Sequence, residues 1–333
     1  MTREQALART EEPEPEAGPG AGLVAATRLG RQLAANLASV VRGAEDACRL
    51  ATIAVLAGGH LLIEDVPGVG KTMLAKAVAA SVGTTLARIQ GHPDLLPSDI
   101  TGVSVFNEAT RSWEFRPGPV FSHVVLFDEL NRTPPRSQAA LLESMEEGQV
   151  SADGRSWSLP DPHLVLATQN PVEHAGTFPL VESQMDRFLL ATRIGYPDAR
   201  TEAALAIDQG ALPMLSALSP VASPSSLAAA QREVGAVHVT QPVADYAVAI
   251  VRASRARAEV RLGASPRAAI GLLAAARAEA VLSGRDYVVP GDVKTTAPAV
   301  LGHRLVIDRP GGSIGRGATM VEELLASVPA PRP

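Results

Sequence analysis

The sequence has 333 residues, 46% hydrophobic and 20% charged, which suits a globular chain of about two domains at roughly 150 residues each. A net charge of −5 and an aromatic content of 3% give no global pull toward nucleic acid or anionic membrane and few platforms for base stacking, so the expected partners are proteins. Cys48, the only cysteine, excludes an intrachain disulfide or Cys-rich zinc site, suits a reducing compartment, and reads as a small buried apolar residue.

Residues 1–22 carry Glu11, Glu12, Glu14 and Glu16 among prolines, then a Gly/Pro/Ala run, and are expected to be a disordered acidic tail. From Leu23, the residues Leu29, Leu33, Leu37, Val40 and Val41 recur at helical spacing. A second helical run over 44–56 stops at Gly58 and Gly59, residues that close helices. The first strand, 60–63, leads into Asp65-Val66-Pro67-Gly68-Val69-Gly70-Lys71-Thr72 and a helix over 73–82, the opening of a βαβ unit. Gly68 and Gly70 lack the Cβ that would keep their N–H groups away from a triphosphate. Lys71 can neutralise β/γ oxygens, Thr72 can ligate Mg²⁺, and the helix start at Met73 offers its positive dipole end. Asp65 stands where the pattern G-x-x-x-x-G-K-[ST] has its first glycine, a mismatch discounted because Asp enters tight turns and αL geometry readily. A plain glycine turn is the competing reading.

The run 86–89 reads as a second strand, followed by a proline-bounded short helix over 93–99. Val103/Val105 and Trp113/Phe115 alternate about a polar turn at 107–112, a hairpin signal. A continuous apolar strand, 124–127, is what a parallel sheet covered on both faces needs, and Asp128 and Glu129 follow at its carboxyl end, where such sheets bind ligands. Beside a phosphate loop the pair suits a Mg²⁺-linked Asp128 and a water-activating Glu129; the alternative is two loop carboxylates. A helix over 137–147, a second hairpin about Asp153 and Gly154, and a strand over 164–167 lead to Asn170. Its carboxamide can orient an attacking water, or simply turn the chain before Pro171. Arg187, ahead of a last strand over 189–194, is either a cation for developing phosphate charge or a surface or structural arginine.

Near 196–198 strand–helix alternation gives way to helices, with an irregular Ala/Ser/Pro connection over 212–226. The expected domains are therefore 23–196, an α/β nucleotide-binding domain, and 197–328, an α-helical lid, with 329–333 frayed. One lid helix carries Tyr246, Ile250 and Val251; the next, with Ile270, Leu272 and Leu273, starts at Ser265-Pro266-Arg267 with a cap and a proline at N1, and another follows over 292–303. Arg267 can reach a nucleotide from above or remain a solvated helix-terminal arginine. No internal repeat or H-E-x-x-H metal spacing is apparent. With no signal-peptide pattern and no uncharged apolar run of the ~20 residues that span a bilayer, a cytoplasmic location is expected.

The phosphate loop, Asp128-Glu129, Asn170, Arg187 and Ser265-Pro266-Arg267 occur in an order that resembles the AAA+ ATPases. The stretches DLLPSDITG (94–102), RPGP (116–119), DELNRTPP (128–135), ATQNP (167–171), GTFPL (176–180), MDRF (185–188) and GASPR (263–267) look like the MoxR family within that group. The match covers nearly the whole chain after the tail. It implies an α/β P-loop AAA+ core, with a parallel five-stranded sheet flanked by helices and a helix-2 insert hairpin, followed by a small α-helical lid domain. It also implies a Mg²⁺-dependent ATPase forming a homo-oligomeric, hexameric ring with sites between subunits. Hydrolysis of ATP to ADP and phosphate would drive chaperone-like remodelling or maturation of a partner protein or complex, with a partner containing a von Willebrand factor A domain. By position, Asp65, Val66, Pro67, Gly68, Val69, Gly70, Lys71, Thr72 and Met73 would hold ATP, and Thr72 and Asp128 the Mg²⁺. Glu129, Asn170 as sensor 1, Arg187 as arginine finger from a neighbouring subunit and Lys71 would act in catalysis, with Arg267 as sensor 2. The hairpins near 103–115 and 149–159 would face the pore or substrate, and membrane contact is expected only through a partner. Gly43-Ala44 departs from the Gly-Gln of many relatives. Two other readings share the core: the ATPase subunit of a metal chelatase, and a nucleic-acid motor, which the acidic balance disfavours.

Overall fold

The computed structural model describes residues 20–170, 177–208, 210–307 and 314–332. Most of the proposed acidic tail, 1–19, lies outside the described residues; its last two positions, Ala21 and Gly22, belong to the first helix. In chain order the first half is α1 (Ala21–Val40), α2 (Glu45–Leu56), β1 (Leu61–Glu64), α3 (Lys71–Ser81), β2 (Leu86–Gln90), α4 (Pro97–Thr101), β3 (Gly102–Asn107), β4 (Ser112–Pro117), β5 (Val124–Asp128), α5 (Pro135–Glu147), β6 (Gln149–Ala152), β7 (Arg155–Ser158), β8 (Leu164–Gln169), α6 (Glu182–Met185) and β9 (Leu190–Thr192). The second half is α7 (Ala199–Ile207), α8 (Leu212–Ser216), α9 (Pro224–Ala236), α10 (Gln241–Ser254), β10 (Val260–Leu262), α11 (Pro266–Leu282), α12 (Pro290–Leu301), β11 (Val306–Ile307) and α13 (Ile314–Ser327).

Five strands form one parallel sheet in the order β2-β5-β8-β1-β9. Successive side chains of a strand point to opposite faces, and here both faces are buried. Leu61, Ile63, Val124, Leu126, Leu164 and Leu166 pack into one core with α1, α2, α3 and the lid helices. Leu62, Val125, Phe127, Val165 and Ala167 pack into the other with α5. The carboxyl ends of β1, β5 and β8 therefore lie side by side, with β8 between the other two, and this edge carries the site.

The proline-bounded helix starts later than its sequence suggests, at Pro97 in place of residue 93, because Asp99 accepts from Leu96 N–H at 2.9 Å and caps the turn there. The stretch 212–226 is irregular only over 217–223: Pro213 and Pro224 occupy the first turns of α8 and α9, where a missing N–H is harmless, and Ser223 caps Ser226 N–H. The lid also holds a short antiparallel pair, β10 with β11. Helix α1 packs against lid helices as well as α3, with Thr27 Oγ1 donating to Val281 O at 2.9 Å and Arg31 Nε to Leu282 O at 3.1 Å. Residues 329–332 have no regular structure, though Ala330 rests against the core. No described helix is long and apolar enough to cross a membrane.

Candidate functional site

The turn between β1 and α3 places Gly68 at φ 89° and Gly70 at φ 104°, left-handed values that favour glycine. No atom stands within 4 Å of where a Cβ on Gly68 would be, so its peptide is open to an approaching ligand. Together with Pro67, Lys71, Thr72 and Met73 these glycines line a cleft of about 180 Å³, closed on its other side by Asp128, Glu129 and Asn170. The structure thus brings the phosphate loop and the three strand-end polar groups to one place. Lys71 Nζ donates to Asp65 O at 2.6 Å and Val66 O at 3.1 Å, inside the loop it belongs to. Burial lowers its pKa, while Asp128, Asp65 and Glu129 oppose that shift.

Asp65 has a different task from the one its position suggests. Its side chain is buried and lines no part of the cleft. Oδ1 accepts from Val66 N–H at 2.8 Å, and Oδ2 from Ile194 N–H at 2.8 Å and Gly195 N–H at 2.7 Å, just beyond β9. Its φ is not positive, so tolerance of αL geometry is not why Asp stands here. A glycine could not anchor the loop to the neighbouring strand end in this way. Glu64 makes the parallel contact, with Arg193 at 2.7 Å and Gln169 at 2.9 Å. Val66 and Val69 also lie outside the cleft lining, and Val69 packs against the core.

Asp128 accepts from Thr168 Oγ1 at 2.7 Å and from Arg88 at 2.7 Å. Glu129 adopts φ 58° and ψ 51°, a left-handed conformation costly for a residue with a Cβ. It is held there by its N–H on Thr168 Oγ1 at 2.9 Å and by its carboxylate, which accepts from Gln90 at 3.0 Å and Arg132 at 3.3 Å. Asn170 is buried, and its carbonyl accepts from Asn131 Nδ2 at 3.2 Å.

Arg187 and Arg267 are not in this cleft. Arg187 lines a separate groove with Leu142, Glu143 and Gln184, donates to Leu142 O at 2.6 Å and pairs with Glu146 at 3.2 Å. Arg267, in the first turn of α11, pairs with the other oxygen of Glu146 at 2.9 Å. The side chains next to them are tied as well: the Asp186 carboxylate accepts from the cap residue Ser265 at 2.8 Å and from the buried Arg304 at 2.7 Å.

Residues 60–190 match the model of the ATPase family associated with various cellular activities, and 252–324 match the AAA lid domain. The chain is 46% identical to the protein YeaC of Bacillus subtilis, over 88% of this chain and 92% of that one. It is 39% identical to Chaperone MoxR1 of Mycobacterium tuberculosis, over 89% and 81%. The chain belongs to the MoxR family of AAA+ ATPases. A crystal structure from Cytophaga hutchinsonii, assigned as an ATPase, superimposes with a TM-score of 0.84 at 33% identity, covering 93% of this chain and 97% of that one. The expected AAA+ core and lid are therefore present, and the activity is ATP hydrolysis. Sequence reasoning on this MoxR-family ATPase passed over Gln90, Thr168 and Glu146. Gln90 had a signal only in following directly on the expected strand 86–89; the structure extends that strand to Gln90, in register with Asp128. Glu146 had none, because its partners are 41 and 121 residues away.

Proposed function

We propose that this MoxR-family ATPase works as a hexameric ring in which ATP held by one subunit's cleft is completed by Arg187 and Arg267 of a neighbour. The observation that carries this reading is the separation of the two arginines from the cleft, within which Lys71 is the one cation among the described lining residues. Phosphoryl transfer spreads negative charge over the transferring group, and a single cation leaves much of it uncompensated.

Within the cleft, the loop amides and Lys71 bind the phosphates, Lys71 exchanging its two carbonyl acceptors for phosphate oxygens. Thr72 and Asp128 offer hard oxygen donors that fit Mg²⁺, which would supply charge neutralisation at the β/γ oxygens. Glu129 accepts a proton from the attacking water as that oxygen bonds to the γ-phosphorus, and the bond to the bridging oxygen of ADP breaks. Asn170 orients the water by its carboxamide. Glu129 has to give up Gln90 and Arg132 to do this, which couples hydrolysis to a rearrangement at the sheet edge.

The output is remodelling of a partner protein, with the paired hairpins as the contact surface. Phe115 of β4 stacks on Trp157 of β7 at 4.7 Å, and Trp113 and Phe106 stand exposed beside them. Exposed aromatics of this kind mark protein interfaces. A partner with a von Willebrand factor A domain and a cytoplasmic location complete the reading, and the relative named a chaperone favours it over a chelatase or nucleic-acid motor. The test is the variant pair Glu129→Gln and Arg187→Ala. Both are expected to bind ATP with near-native affinity and lose turnover, Arg187→Ala by about 10³-fold or more in the assembled protein. Native turnover in either variant contradicts the proposal.

A further inference from the structure

We infer that Glu146 is a positioning residue, which holds Arg187 and Arg267 together as one unit for delivery to a neighbouring subunit's ATP. The inference deepens the composite-site reading above and rests on it. Glu146 lies in the last turn of α5, and its two carboxylate oxygens are divided between the arginines, at 3.2 Å from Arg187 Nε and 2.9 Å from Arg267 Nη1. Leu142, four residues earlier on the same helix face, accepts from Arg187 Nη1 at 2.6 Å. The carboxyl end of a helix attracts cations through its dipole, so α5 offers a carboxylate, a carbonyl and a negative helix end to one pair of guanidinium groups.

Two guanidinium groups this close repel each other, and each belongs to a long side chain with many rotamers. The Asp186–Ser265 side-chain hydrogen bond ties the adjoining residues and Leu142 O holds one end of Arg187, but neither keeps the two guanidinium groups together. Glu146 does, by pairing with both. Ordering both cations before the phosphate arrives lowers the entropic cost of the catalytic step, which is how positioning raises a rate. Glu146 is about one-third exposed, Arg187 slightly less and Arg267 more. Ion pairs so exposed are weak. A triphosphate therefore displaces the carboxylate easily, and Glu146 orients the pair without sequestering it. Arg267 also comes from the lid and Glu146 from the α/β domain, so lid angle and arginine geometry are set at the same contact.

Subunit mixing tests this. Glu146→Ala alone is expected to lower kcat about tenfold with the KM for ATP within about twofold and assembly unchanged, while Glu146→Gln, which keeps the shape, falls between it and the native protein. Glu146→Ala subunits are then mixed with Glu129→Gln subunits. Each of the former brings an intact cleft and each of the latter an intact arginine pair, so about a quarter of the interfaces in a random ring become whole. Turnover several-fold above the mean of the two separate preparations is expected. Arg187→Ala mixed with Glu129→Gln is the control. If that control gains activity and the Glu146→Ala mixture does not, Glu146 acts within its own subunit and the inference is wrong. If neither mixture gains, the composite site itself is wrong and the inference falls with it. An unchanged kcat in Glu146→Ala also overturns it.

Discussion

Gln90 Nε2 donates to Glu129 Oε2 at 3.0 Å across the carboxyl ends of two adjacent strands. The oxygen it occupies belongs to the group proposed above to receive a proton from water. Gln90→Ala is expected to raise partner-independent ATP turnover several-fold, measured as phosphate release by the purified protein. The bond is exposed to solvent, and hydrogen bonds to charged groups contribute at most about 1.5–3 kcal/mol, so a larger gain is not expected. Turnover unchanged or reduced would show that the bond supports catalysis and does not hold Glu129 back.

Asp65→Gly restores the consensus phosphate-loop pattern and is nonetheless expected to damage the protein. It leaves three backbone N–H groups without the carboxylate they donate to, two of them beyond β9. Each unsatisfied buried donor costs about 1–3 kcal/mol. A drop of several degrees in Tm and an ATP affinity reduced about tenfold are expected, the second because a loop released from the β9 end no longer holds in place the Asp65 backbone carbonyl that orients Lys71. Equal Tm and affinity in the variant would refute the anchoring role.

Gly91 N–H donates to Asp128 O at 2.7 Å, and a Cβ at Gly91 would stand against the carbonyl of Glu129 and the hydroxyl of Thr133. Gly91→Ala is therefore expected to displace the backbone of Glu129, the proposed general base. It should reduce kcat by at least about tenfold at unchanged ATP affinity, since the phosphate loop is untouched. Normal kcat would show that the strand end can yield without moving Glu129.

Three buried or part-buried histidines set an acid limit. Burial, reinforced by His163, lowers the pKa of His60 to about 4; burial and Arg304 lower that of His303 well below the ordinary value, and burial lowers that of His163. Because the unfolded chain binds these protons near pH 6.5 and the folded chain does not, the stability they contribute is complete above pH 6.5. It falls as pH drops from there toward about 4. His60 alone represents a loss on the order of 3 kcal/mol across that window. Thermal unfolding followed from pH 7.5 to 4.5 should show this decline, and His60→Gln should flatten it. A flat profile in the native protein would contradict the burial of these rings as neutral groups.

Much of the fold and cleft was legible because it depends on local rules. Continuous apolar strand runs, strand-end acids and a Gly-rich turn identify Lys71, Thr72, Asp128, Glu129 and Asn170 without knowledge of tertiary structure. Two things were not legible. The Ala/Ser/Pro stretch over 212–226 reads as irregular, yet its Pro213 and Pro224 each sit where a helix has no need of the N–H that proline lacks. Arg187, Arg267 and Glu146 come from three distant segments, and only the docking of the lid on α5 shows that the two cations share one carboxylate. The sequence named both arginines, and the family resemblance assigned Arg187 to a neighbouring subunit's site, but whether Arg267 lines the cleft of its own chain was not legible; neither arginine does.

The measurement that bears most directly on the composite site is phosphate release per subunit as a function of protein concentration, with the mass of the particle followed in the same samples. Turnover should rise at least about a hundredfold as the monomer gives way to the ring, since arginines supplied across an interface contribute on the order of 10³-fold or more. A per-subunit rate that stays constant across that transition would contradict the account.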